Sequence, residues 1–145
     1  MSAKKRIVVT GGSGFIGAYF CRQLKSRGDT VVILDLVEPS EKSPHDLYVD
    51  GDIRDEVAVR EAFTGCDQVI HLAAAHHDFG IEEQTYFSVN EGGLEVMTKV
   101  MDELGMTEIT FYSTVAVYGN AAPPLTEETI PVPESFYGKS KLAGE

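Results

Sequence analysis

Thr10-Gly11-Gly12-Ser13-Gly14-Phe15-Ile16-Gly17 joins an apolar run, Arg6 to Thr10, to an amphipathic segment, Phe15 to Arg27. In that segment Ile16, Phe20 and Leu24 fall on one helical stripe, and Gly28 follows as a helix terminator. A glycine triplet alone is often only a turn. Between a strand and a helix, glycines permit the tight turn, let the backbone approach a diphosphate and let helix and strand pack closely. The helix start then presents N–H groups and the positive end of its dipole to the phosphates. Two spacings are satisfied at once, Gly11/Gly14/Gly17 and Gly12/Gly14/Gly17. The residues expected to hold such a ligand are therefore Gly11, Gly12, Ser13, Gly14, Phe15, Ile16 and Gly17.

The same alternation continues along the chain. Val31 to Asp35 reads as a buried strand, Leu47 to Val49 as a short third one, Asp55 to Phe63 as a helix and Gln68 to Leu72 as a strand. A long helix is expected from Gln84 to Leu104, stopped by Gly105, then a strand from Ile109 to Ser113. Ala121 to Pro133 contains four prolines and reads as a loop, and a last helix begins around Ser135. Strand and helix in alternation predict an α/β fold with a parallel sheet, and continuous apolar strands predict burial on both faces. Length and the absence of repeats or linkers predict one domain over residues 1–145.

Asp35 ends the second strand, 24 residues after Gly11. A carboxylate there can accept both ribose hydroxyls of a dinucleotide and repels a 2′-phosphate. Leu36, Val37 and Glu38 follow without a basic residue, so NAD is expected in preference to NADP.

Twelve Lys and Arg against 23 Asp and Glu give a formal charge of −11, which argues against nucleic acid as a partner. A phosphorylated small ligand stays compatible, because local backbone donors outweigh net charge. Apolar runs such as Val31 to Leu34 are too short for a membrane span, and Met1 to Arg6 leads straight into a strand, so a cytoplasmic protein is expected. Cys21 and Cys66 lie in apolar contexts, 45 positions apart, and read as buried free thiols. His76-His77-Asp78 has no second pair at ligand spacing, so no metal is expected; the loop reads as a border of the substrate site.

Tyr137 and Lys141 are four apart, which stacks them on one face of a helix. A free tyrosine titrates at about 10 and is a poor base at neutral pH, whereas a nearby cation favours the phenolate. Bringing it into working range takes about 4 kcal/mol, so Lys141 needs help. A bound oxidised nicotinamide, itself positive, supplies it. The pattern alone is weak, and many such pairs are solvent-facing helix residues.

Together these residues resemble the extended short-chain dehydrogenase/reductase family, most closely its NAD-dependent epimerase/dehydratase branch and, within it, UDP-glucose 4-epimerase-like members. Thr10 to Gly17 matches the family's glycine motif, and Asp52-Ile53-Arg54 resembles its Asp-hydrophobic-Arg element. The resemblance implies that Asp52 and Ile53 contact adenine. It also implies that the Leu72-Ala73-Ala74 stretch after His71 lies along the cofactor and that Asn90 braces the site from the long helix on the cofactor side. Ser113 to Gly119 is similar to the family's Ser/Thr segment ending in Val-Tyr-Gly, which places Thr114 at the catalytic hydroxyl; Tyr137 and Lys141 complete a catalytic triad. Glu91 and Leu94 depart from the usual valine and threonine.

The implied fold is a Rossmann-type doubly wound parallel sheet of strand order 3-2-1-4-5. Family members are longer, so the chain is expected to be an N-terminal cofactor-binding part, truncated before the substrate lobe. Thr114, read as the end of the fifth strand, would hold a substrate hydroxyl while Tyr137 removes its proton. Related dehydratases carry acids just after that threonine. Val115 and Ala116 stand there instead, so dehydration is disfavoured. The expected function is epimerisation of a nucleotide-sugar with NAD, by a homodimer at full length. The alternatives are an alcohol/ketone oxidoreductase of the same family and a non-catalytic NAD-binding sensor.

Overall fold

A computed structural model describes residues 3–76 and 80–145. Among them, five strands form one parallel sheet: β1 (Arg6–Thr10), β2 (Thr30–Asp35), β3 (Leu47–Asp50), β4 (Gln68–His71) and β5 (Ile109–Phe111). Their order is β3-β2-β1-β4-β5, as expected for a doubly wound fold. The helices are α1 (Phe15–Arg27), α2 (Glu56–Phe63), α3 (Glu83–Phe87), α4 (Gly93–Leu104) and α5 (Phe136–Gly144). A π-helical turn, Ser88–Gly92, separates α3 from α4, and a 3₁₀ turn spans Val115–Tyr118.

The chain divides into two compact units, one of residues up to Ala73 with Val96–Tyr112, the other of Ala74–Glu95 with Ser113–Glu145. The first holds the sheet. Val8, Val9 and the run Val31 to Leu34 are fully buried, which is what apolar strands without alternation demand. Register pairs Val9 with Ile33 on one side and Ile70 on the other. Ile7, Val9, Val31 and Ile33 pack on one face with Cys21 and Leu24 of α1. On the other face α2 brings Ala58, Val59, Ala62 and Phe63 to the sheet, and Gly51 leaves room for Ala58 beside Leu34. α4 is tied to α2 by Lys99 Nζ and Glu56, 2.6 Å apart. Gly28 closes α1 at φ 84°, its N–H donating to the carbonyls of Leu24 and Lys25.

The second unit contains α3, the π turn, the 3₁₀ turn and α5. Ser135 caps α5, its Oγ accepting from Gly138 N at 3.0 Å.

Two expectations need correction. The helix read as continuous from Gln84 to Leu104 is interrupted by the π turn, whose extra residue redirects Asn90. The fifth strand stops at Phe111 rather than Ser113, because its partner β4 ends at His71, the register mate of Phe111. Thr114 therefore lies beyond the strand, as the cap of the 3₁₀ turn. Both cysteines are buried and free. No helix among the described residues is long and apolar enough to cross a membrane.

Candidate functional site

In the first unit, the loop after β1 is built around missing side chains. Gly11 holds φ 71°, and a Cβ there would lie 2.8 Å from the backbone N of Ala73. A Cβ on Gly17 would strike the Gly11 carbonyl oxygen, so the first turn of α1 can rest on the loop only as glycine. α1 has no side-chain cap and no acid in its first turn. Its opening turn carries the exposed side chain of Phe15, and an uncapped helix start suits an anion held by backbone N–H groups. Ala18 N already donates to Gly14 O at 2.8 Å, which leaves the turn from Phe15 to Gly17 as the offering surface. Gly12 sits where a Cβ would meet the Ile33 side chain at 2.8 Å.

Asp35 is fastened to this loop. Its Oδ2 accepts from Ser13 N at 3.0 Å and its Oδ1 from Val37 N at 3.1 Å, while Ser13 Oγ donates to Val37 O at 2.5 Å. The carboxylate is thereby fixed at the carboxyl end of β2. Asp52 accepts from the Arg54 guanidinium at 2.6 Å, and that hydrogen bond holds its carboxyl below the usual range. The Ile53 side chain is buried, so its backbone is what it can offer a ligand. Thr10 Oγ1 accepts from the amides of Leu72 and Ala73 at 3.3 Å each, pinning the stretch that leaves β4.

In the second unit, Thr114 caps the 3₁₀ turn, its Oγ1 accepting from Ala116 N at 3.2 Å. A Cβ on Gly138 would lie 2.5 Å from the Ala116 carbonyl oxygen. The absent side chain thus seats the first turn of α5, which carries Tyr137, directly against the turn that Thr114 begins. Tyr137 and Thr114 are half-buried. Lys141 is 2% exposed, and burial pushes its ammonium down to about 8, with Glu145 opposing the shift.

Asn90 is buried in the π turn. Its Oδ1 accepts from Ala75 N at 2.8 Å, and its Nδ2 donates to Ala75 O at 3.0 Å and to Ser140 Oγ at 2.9 Å. Both amide protons are committed to the protein, which is the geometry of a brace. Ser140 was not singled out in the sequence. The available signal was a small hydroxyl residue three positions after Tyr137, within reach of its carbonyl. His76 is exposed, with Nδ1 3.1 Å from Ala74 O; His77 and Asp78 lie outside the described residues. Among the described residues no His, Cys, Asp and Glu cluster fits a metal.

Residues 7–145 match the model of the NAD dependent epimerase/dehydratase family. The chain belongs to that family. It is 36% identical over 151 residues to a UDP-glucose 4-epimerase of Lacticaseibacillus casei, covering 96% of this chain and 44% of that protein. It is 31% identical over 159 residues to a D-erythronate dehydrogenase of Cupriavidus necator, covering 96% of this chain and 48% of the relative. The crystal structure of UDP-glucose 4-epimerase from Brucella ovis in complex with NAD superposes with a TM-score of 0.88 at 27% identity, over 97% of this chain and 45% of that one. The chain thus spans under half the length of these relatives. NAD is the cofactor of this family, and the glycine cradle that a Cβ would fill, together with the uncapped start of α1, fits its diphosphate.

Proposed function

We propose that this chain is the cofactor-binding part of an NAD-dependent nucleotide-sugar epimerase. The observation that carries the reading is the seating of Thr114's turn on the first turn of α5, which puts a hydroxyl-bearing segment and the Tyr137 segment in contact. In this reading Gly11, Gly12, Ser13, Gly14, Phe15, Ile16 and Gly17 hold the diphosphate through their backbone, and Asp35 takes the ribose hydroxyls. Asp52 and the Ile53 backbone meet adenine, Leu72, Ala73 and Ala74 line the cofactor, and Asn90 is the brace.

Bound NAD would supply the hydride acceptor and donor for the sugar carbinol carbon, and return of the hydride to the opposite face would invert that centre. Thr114 Oγ1 holds the carbinol hydroxyl. Tyr137 Oη takes that hydroxyl's proton and gives it back, so the residue ends each cycle as it began. Lys141 places a positive charge on the Tyr137 side of the site and steadies the nicotinamide ribose. Val115 and Ala116 cannot move protons, so elimination of water has no donor at the positions next to Thr114.

The test uses the whole protein with NAD and a panel of nucleotide-sugars. Tyr137→Phe is expected to lower kcat by about 10²–10⁴-fold while NAD binds as before. A second reading, net alcohol/ketone oxidoreduction, is favoured by the likeness to D-erythronate dehydrogenase; NADH accumulating mole for mole with the substrate oxidised would establish it. NAD binding with no turnover would instead support a sensor module, a role for which Thr114, Tyr137 and Lys141 serve no purpose. A homodimer is proposed for the whole protein, and a molar mass by light scattering at twice the protomer would support it.

A further inference from the structure

Ser140 lies between the two α5 residues assigned to the chemistry and is fully buried. Its Oγ donates to the Tyr137 carbonyl at 2.9 Å and receives a hydrogen from Asn90 Nδ2 at 2.9 Å. The direction is fixed by chemistry. An amide nitrogen only donates, so the serine oxygen accepts from it, and the serine proton is left for the carbonyl three residues back. Asn90 in turn grips both backbone groups of Ala75, immediately after the Leu72-Ala73-Ala74 stretch. The chain Ala75–Asn90–Ser140–Tyr137 therefore runs through the second unit with donor and acceptor fixed at every bond. A π turn, uncommon in itself and frequent at functional sites, presents Asn90 to it.

We propose that Ser140 is a positioning residue: its hydroxyl ties the Tyr137 peptide carbonyl to the Asn90 amide and the Ala75 backbone, fixing the turn from which the Tyr137 phenol projects. The inference rests on the preceding reading of Tyr137 as the proton-transfer group. Ser140→Ala keeps the helix and removes one oxygen, leaving a buried Asn90 N–H without its acceptor. In the whole protein that variant is expected to lower kcat about ten-fold while the Kd for NAD stays within about two-fold, because misorientation costs rate rather than cofactor affinity. Ser140→Thr, whose hydroxyl can bond the same carbonyl, is expected to recover most of the loss. Asn90→Ala combined with Ser140→Ala is expected to lose no more than the worse single variant, since the two act as one unit.

Independently of turnover, the Asn90 carboxamide protons are expected to exchange with solvent about ten-fold faster in Ser140→Ala than in the parent. Ser140→Cys, isosteric with a weaker hydrogen-bonding group, gives the same comparisons should the alanine variant melt too low. Unchanged exchange overturns the bridge. Unchanged kcat, additive losses, or NAD affinity falling in step with kcat overturns the positioning role. A parent protein that binds NAD yet turns over no sugar overturns the epimerase reading instead, and the exchange data still judge the bridge.

Discussion

A single methyl group at Gly11 would meet two obstacles at once. The backbone there is at φ 71°, a region that L side chains resist, and the new carbon would sit 2.8 Å from the Ala73 nitrogen. Gly11→Ala is therefore expected to destabilise the fold by about 2 kcal/mol and to weaken NAD binding at least about ten-fold, read by thermal melting and calorimetry. Lys141 poses the opposite problem, since its burial disfavours the charged form that the proposed chemistry uses. Its folded-state value is pushed down to about 8 from 10.5. Below pH 8 it is charged in both states, and between the two values the unfolded chain holds more protons than the folded one. Stability should accordingly rise with pH across that window. Lys141→Met is expected to raise the melting temperature at pH 7, to flatten that rise and to abolish turnover. A variant no more stable than the parent at pH 7 would contradict this account of the buried ammonium.

At the level of elements, α5 depends on its first turn. The Ser135 hydroxyl satisfies the Gly138 amide, and Gly138 rests on the Ala116 carbonyl, so the cap also supports the contact between α5 and the 3₁₀ turn. Ser135→Ala is expected to cost about 1 kcal/mol and to speed exchange of the Gly138 amide about five-fold, with NAD affinity unaltered. The start of this helix was legible in the sequence because capping chemistry is local. The strands were legible for a related reason: Val31 to Leu34 and Val8-Val9 are apolar without alternation, and only a sheet buried on both faces needs that. The π turn at Ser88–Gly92 was not legible. Apart from Glu91 its residues, Ser88, Val89, Asn90 and Gly92, are weak helix formers, but weak propensity does not specify a wider turn; what holds it is the set of bonds Asn90 makes with Ala75 and Ser140, 15 residues earlier and 50 later. The end of β5 escaped for the same reason, since it is set by where β4 stops. Thr114 was expected at the end of the fifth strand and lies instead at the cap of the 3₁₀ turn. The resemblance aligned it by its neighbours Val117 to Gly119, whereas the strand's length is decided across the sheet.

For the whole molecule, net charge and local field point in opposite directions. At −11 the chain repels polyanions at long range, yet the start of α1 is free of acids and offers amides to a diphosphate. A ligand that binds only the folded chain stabilises it by mass action, about 2.7 kcal/mol at a hundred-fold excess over Kd. For a chain of this size that corresponds to a rise in melting temperature of about 5–10 °C. NADP at the same concentration is expected to give a clearly smaller rise, because its 2′-phosphate would face the Asp35 carboxylate, which the Ser13 and Val37 amides hold in place. Asp35→Asn should narrow that difference by removing the repulsion while keeping the acceptor oxygen for Ser13 N. Melting curves of parent and variant with each dinucleotide measure both effects. Equal shifts from NAD and NADP in the parent would refute the role given to Asp35, and no shift from either would refute the glycine loop as a diphosphate site.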